Sequence, residues 1–162
     1  MTSKTIAELF LWHLKDVYGA EHQILKALPK MAKQANTPDL REAFETHIKE
    51  TETQVSRLNK VFESLGLKAS AEKCKALEGI VEEAEEVIGE ARDPAVLDAG
   101  MIAAAQAVEH YEIARYGTLI AWAEQLGYKE AARLLEDTLK EEKHADEVLS
   151  KIAVQSVNRK AA

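Results

Sequence analysis

Four glutamates, Glu21, Glu50, Glu112 and Glu141, each interrupt or border an otherwise apolar helical stripe. Glu21 lies in LKDVYGAEHQIL and Glu50 in FETHIKETETQV, while Glu112 lies in QAVEHYEIARYG and Glu141 in LEDTLKEEKHADEVL. Glu21 and Glu50 stand 29 residues apart, as do Glu112 and Glu141, and one gapless shift of 91 residues carries the first pair onto the second. A carboxylate on a core-facing stripe is costly unless it is neutralised. Two like charges about 4 Å apart repel by roughly 4 kcal/mol at an effective dielectric near 20. Four such groups need a counter-charge, and two divalent iron or manganese ions would match it. An oxygen-rich set with a few imidazoles suits these metals better than a thiolate-seeking ion.

Imidazoles stand close by. His144 follows Glu141 by three residues, the Glu-x-x-His spacing that aims two side chains at one ion. The matching position of the first half is Thr53, but His47 lies one turn before Glu50 on the same face. Glu109 lies one turn before Glu112, at about the height of His144, with His110 beside it. Ala145 and Leu149 compete with His144 for the inner face. The candidate metal ligands are therefore Glu21, His47, Glu50, Glu109, Glu112, Glu141 and His144. Any one of these glutamates alone would ordinarily bend to the bundle edge and pair with lysine. The quartet and its repetition carry the metal reading. His13 and His22 read as peripheral, Tyr18, Tyr111 and Tyr116 as packing or hydrogen-bonding groups, and Cys74 as a small buried apolar residue.

Helices must position these groups. Ser3 or Thr5 is the expected cap of a first helix over about residues 4–35, kinked at Pro29. Asn36-Thr37-Pro38-Asp39 is the clearest turn, with Thr37 as cap and Pro38 in the first helical position. The second helix is expected over about 38–65 and stops at Gly66. Ser70 would then cap a shorter crossover helix over about 70–91. Asp93-Pro94 starts a third helix over about 94–126, Gly127 ends it, and a fourth follows over about 128–157 before a fraying NRKAA tail. A crossover this long fits the ferritin-like bundle topology, with a single domain over residues 1–162.

The shift of 91 residues runs without a gap from Val17 to Val61 and pairs Val17 with Val108, Leu28 with Leu119, Lys49 with Lys140 and Leu58 with Leu149. A duplicated helical hairpin is the reading. Within each hairpin the two glutamates are nearly equidistant from the turn, so all four reach about one level at roughly 1.5 Å rise per residue.

Composition narrows the partners. With 46% hydrophobic and 30% charged residues but only 7 Gly and 3 Pro, the chain suits a helical globule rather than disorder. A net charge of −7 disfavours nucleic acid and anionic membranes and favours cations. The single cysteine excludes an intramolecular disulfide and fits a reducing compartment. With no signal-peptide core and no apolar run of spanning length, a cytoplasmic location is expected.

YGAEHQILKALPKMA, HIKETETQVSRL, DAGMIAAAQAVEHYEIARYGTL and LLEDTLKEEKHADEVL resemble the YciF/YciE-like bacterial stress-response proteins of the ferritin-like superfamily. EHYEIARYGTL is the most specific stretch. The resemblance covers essentially the whole chain and implies a carboxylate metal centre and a homodimer. By the superfamily pattern, Glu50 and Glu141 would bridge two ions, with Glu21 and Glu112 as terminal ligands; Thr53 departs from that pattern where a histidine belongs. The resemblance does not imply a settled reaction; the glutamate quartet makes the leading expectation a di-iron or di-manganese protein that reacts Fe(II) with oxygen or peroxide during stress, in the manner of a ferroxidase or peroxidase. The alternative is a non-catalytic stress protein whose metal only braces the bundle, acting through dimer or partner contacts.

Overall fold

The computed structural model describes residues 4–162, so a cap at Ser3 lies outside the described residues. Thr5 caps α1 (Ile6–Gln34) instead, its hydroxyl accepting from the Glu8 N–H while the Glu8 carboxylate accepts from the Thr5 N–H. The helix runs without a break through Pro29, whose ring side is exposed to solvent. α2 (Pro38–Ser64), α3 (Lys75–Glu90), α4 (Pro94–Gln125) and α5 (Lys129–Ile152) follow, with no strand among the described residues. Gly66 and Gly127, both at positive φ, stop α2 and α4 as expected.

The result is an all-α bundle. α1 packs on α2 and α4, and α5 packs on α4 and α2. Two antiparallel hairpins, α1–α2 and α4–α5, are joined by the long connection that carries α3, the single-crossover connectivity of ferritin-like folds. α4 touches α1, α3 and α5, which explains why it is apolar around most of its circumference.

Four local expectations are revised. Thr37 does not cap α2 through its side chain; its hydroxyl donates to the Asp98 carboxylate of α4. Asp98 also accepts from the backbone N–H groups of Asn36 (2.9 Å) and Thr37 (2.7 Å), so the first hairpin's turn is held by the second hairpin. Cys74, not Ser70, caps α3. It is buried but not merely apolar: Sγ lies 2.9 Å from the Tyr111 hydroxyl, which donates to Asp16 at 2.7 Å. The Gln23 amide bonds both the N–H and the carbonyl of Cys74, fastening the crossover to α1. Just upstream, Glu72 N–H donates to the Lys15 carbonyl, and a Cβ at Gly19 would meet the Glu72 oxygen at 1.7 Å. Only glycine permits that approach. The tail does not fray either. A wide turn (Ala153–Val157) and a short α6 (Asn158–Ala161) continue α5, anchored by buried Val157.

The core is built in two apolar blocks. One, near the α1–α2 turn, includes Ile24, Leu28, Phe44, Met101, Ile102 and Leu149. The other, near the α4–α5 turn, includes Phe10, Leu14, Leu58, Phe62, Leu119 and Leu135. Between them lies a buried polar layer with Glu21, His47, Thr51, Gln54, Glu109, Glu112, Thr138 and Glu142. That layer is the site.

Candidate metal centre

Each of the four long helices contributes to the layer. α1 supplies Glu21, α2 supplies His47, α4 supplies Glu109 and Glu112, and α5 supplies Glu142. One potential ligand atom from each of His47, Glu109, Glu112 and Glu142 lies within 4.8 Å of all the others. His47 Nε2 is 3.3 Å from Glu109 Oε1 and 4.0 Å from Glu142 Oε2. Glu21 adjoins this set, its charge acting on both Glu112 and Glu142, and its Oε1 accepts a hydrogen bond from Tyr116.

The hydrogen-bond accounting is unusual. Glu21 Oε2, Glu109 Oε2, both oxygens of Glu112 and of Glu142, and both ring nitrogens of His47 are buried without a hydrogen-bond partner. Buried polar groups in folded proteins are nearly always paired, and each orphan costs about 1–3 kcal/mol, more when charged. A cluster of unpartnered carboxylate oxygens and imidazole nitrogens has the chemistry to hold a metal cation.

Electrostatics point the same way. Burial, reinforced by Glu142, pushes Glu21 up to about 8, against a lowering hydrogen bond from Tyr116. Burial likewise pushes Glu109 up to about 8. Glu112 and Glu142 are raised as well, by burial first and then, for Glu112, by the neighbouring carboxylates. Burial disfavours charge on His47, but Glu50, Glu142 and Glu21 outweigh it and its pKa is raised. Without a cation the layer therefore retains protons at neutral pH.

Of the residues singled out in the sequence, Glu21, His47, Glu109 and Glu112 are brought together. Glu50 stands at the edge: its side chain is 31% exposed and its Oε2 lies 3.6 Å from His47 Nδ1, on the opposite side of the ring from Glu109. Glu141 is elsewhere. The Arg57 guanidinium holds its carboxylate at 2.7 and 2.9 Å, and the Gln54 amide adds a bond at 3.1 Å. His144 is exposed and lines a cavity that also reaches His47 and Glu109, and His110 faces Asp146 at the surface. The inward carboxylate of α5 is Glu142. Its signal was present in the sequence: Leu135, Thr138 and Leu149 all share its heptad face, and Glu141 is turned about 100° away. The repeat is preserved in this displaced form. Glu50 and Glu141 occupy equivalent half-exposed positions, and buried Thr51 is the counterpart of buried Glu142.

A family model, described as Domain of unknown function (DUF892), matches residues 5–162. The chain belongs to this family. Among curated proteins the DUF892 chain is similar to Protein YciF of Escherichia coli strain K12, at 49% identity over 99% of this chain and 98% of that one. The crystal structure of that E. coli protein, described as a stress protein, superposes with a TM-score of 0.92 at 49% identity, covering 96% of this chain and 99% of the other. The structure of YcfI from Rhodopseudomonas palustris gives 0.91 at 50% identity, covering 94% and 99%. The YciF-like resemblance of the sequence is thus established over the whole described chain. No helix among the described residues is long and apolar enough to cross a membrane.

Proposed function

We propose that this protein binds divalent iron, two ions by preference with manganese as substitute, in the mid-bundle layer and reacts Fe(II) with oxygen or peroxide during stress. The observation that carries the reading is the group of eight buried side-chain oxygen and nitrogen atoms, on Glu21, His47, Glu109, Glu112 and Glu142, that have no hydrogen-bond partner. Their chemistry fits the metal: hard carboxylate oxygens with one imidazole suit Fe(II) and Mn(II). Ferrous ions held there would supply the electrons for reducing the oxidant.

The chain's own residues do the rest. Tyr116 donates to Glu21 and fixes that carboxylate's orientation. Glu50, facing His47 Nδ1, orients the ring so that Nε2 points at Glu109 and Glu142. The apolar blocks above and below exclude bulk water, which strengthens every charge interaction between them. The protons that the four carboxyls hold leave as a cation enters, so binding and proton release are one event. The description of the E. coli relative as a stress protein supports the stress context here.

Metal analysis with anaerobic Fe(II) titration tests this. About two equivalents are expected for a two-ion carboxylate centre, lost in Glu112→Ala and Glu142→Ala. Wild-type protein that takes up no Fe(II) or Mn(II) would overturn the reading. Uptake without any acceleration of Fe(II) oxidation would leave the metal as a brace for the bundle.

A further inference from the structure

Two cavities of opposite chemistry converge on the same pair of residues, His47 and Glu109. One opens between α2 and α5, has a volume of about 380 Å³, and carries Asp39, Glu42, Glu50 and Glu109 among its lining against two imidazoles, His47 and His144. Its net negative wall draws cations inward. The other lies beneath the crossover helix, between α1, α3 and α4. Its volume is about 50 Å³, and its walls are aliphatic, with Ile24, Met31, Val81, Ala84, Ile88 and Ala104 among them. Apart from His47 and Glu109 at its inner end, its only charged groups are Lys30 and Glu85, which pair with each other at 2.9 Å across the exposed α1–α3 edge. Leu28 and Ala105 line both cavities and so form the partition between them.

An aliphatic passage with a neutral rim offers nothing to a hydrated cation, which would lose its water without compensation. It is also too apolar to hold ordered water, since a water needs two to four polar partners. It suits a small neutral molecule with little hydration to lose. We propose that the cavity beneath α3 is the route by which dioxygen reaches the mid-bundle layer, separate from the acid-rimmed route used by cations. The proposal rests on the metal reading above for its destination, but not for its occupancy. The crossover helix, whose Leu77 belongs to the core, thereby gains a second role as one wall of a gas passage.

Dioxygen is paramagnetic, so its residence is readable in metal-free protein. NMR relaxation of methyl groups under oxygen pressure is expected to be enhanced at Ile24, Val81 and Ala84 well beyond that at Leu58 and Leu119, which are buried in the opposite block. Ala84→Phe, on the half-buried face of α3, is expected to abolish the enhancement. In the same variant aerobic Fe(II) oxidation slows by roughly fivefold or more when entry becomes limiting, while anaerobic Co(II) affinity stays at the wild-type value. Ala27→Leu fills the passage from α1 and guards against a folding defect peculiar to α3. Absence of enhancement in the wild type overturns the proposal, as does an unchanged oxidation rate in a variant that has lost it. Failure of the wild type to bind Co(II) or Fe(II) is a different result: it removes the metal centre and leaves the passage without a destination.

Discussion

The Arg57 guanidinium grips the Glu141 carboxylate through both terminal nitrogens, at 2.7 and 2.9 Å, and so turns that side chain out of the cluster that Glu142 enters. Adjacent glutamates on one helix thus face different surroundings. Glu142→Gln is expected to lower Mn(II) or Fe(II) affinity by at least about a hundredfold, the scale of a lost charged ligand (roughly 3 kcal/mol). Glu141→Gln is expected to keep metal affinity and cost about 1 kcal/mol of stability. Paired titration and urea melts of the two variants check this, and the reverse pattern would return the ligand role to Glu141.

Stability of the metal-free protein is expected to fall as pH rises from 6 to 8. Glu21 and Glu109 titrate near 8 in the fold against 4.5 without it, and Glu112 and Glu142 are raised too, all with burial as the leading cause. Over that window the folded state binds more protons than the unfolded chain, so deprotonation favours unfolding. His47 acts in the same direction, because a raised imidazole loses its stabilising charge as pH passes its folded value. Melting temperatures of EDTA-treated protein at the two pH values give the sign, and saturating Mn(II) is expected to abolish or reverse the slope. A higher melting temperature at pH 8 without metal would contradict it.

Glu50 is expected to matter through His47. Glu50→Ala removes the partner 3.6 Å from Nδ1 while leaving every clustered carboxylate in place. Loss of such an orienting group typically costs 10- to 100-fold in metal affinity. Isothermal titration with Mn(II) measures it, and an unchanged affinity would show that the ring is held by packing alone.

Asp98 is expected to be worth roughly 2–4 kcal/mol, because Asp98→Ala leaves the Asn36 and Thr37 donors unpaired inside the fold. Burial alone would raise its pKa, but bonds from Thr37 and Asn36 outweigh it and the value is lowered. Its contribution is therefore present above the unfolded value near 3.8 and is lost as pH falls through the lower folded value. Chemical denaturation at pH 7 and at successively lower pH below 3.8 follows the loss; a variant as stable as wild type at pH 7 would refute it.

The helices and four of the inward groups were legible because burial repeats along a helix with a period the chain displays openly. Glu21 and Glu112 sit alone on apolar stripes, so their faces admit one assignment. The Glu141-Glu142-Lys143-His144 run does not, since several polar residues in succession cover every direction around the axis. Spacing to His144 favoured Glu141, whereas the packing of Leu135, Thr138 and Leu149 and the pull of Arg57 decide for Glu142. Nor does periodicity reveal Cys74 as a helix cap. That depends on Gln23, Asp16 and Tyr111 meeting it from distant parts of the chain.

The division of the interior into two oily ends and a charged waist has a bearing on how the molecule breathes. Bundles ordinarily loosen first at their tips, where fewest neighbours hold the chain. Here each tip dehydrates on its own side chains, whereas the waist is the layer whose buried carboxylates lack protein partners. Deprived of metal, the backbone is expected to exchange its amide hydrogens soonest around Glu21, Thr51, Glu112 and Glu142, midway along the rod, and to regain protection there when the ion returns.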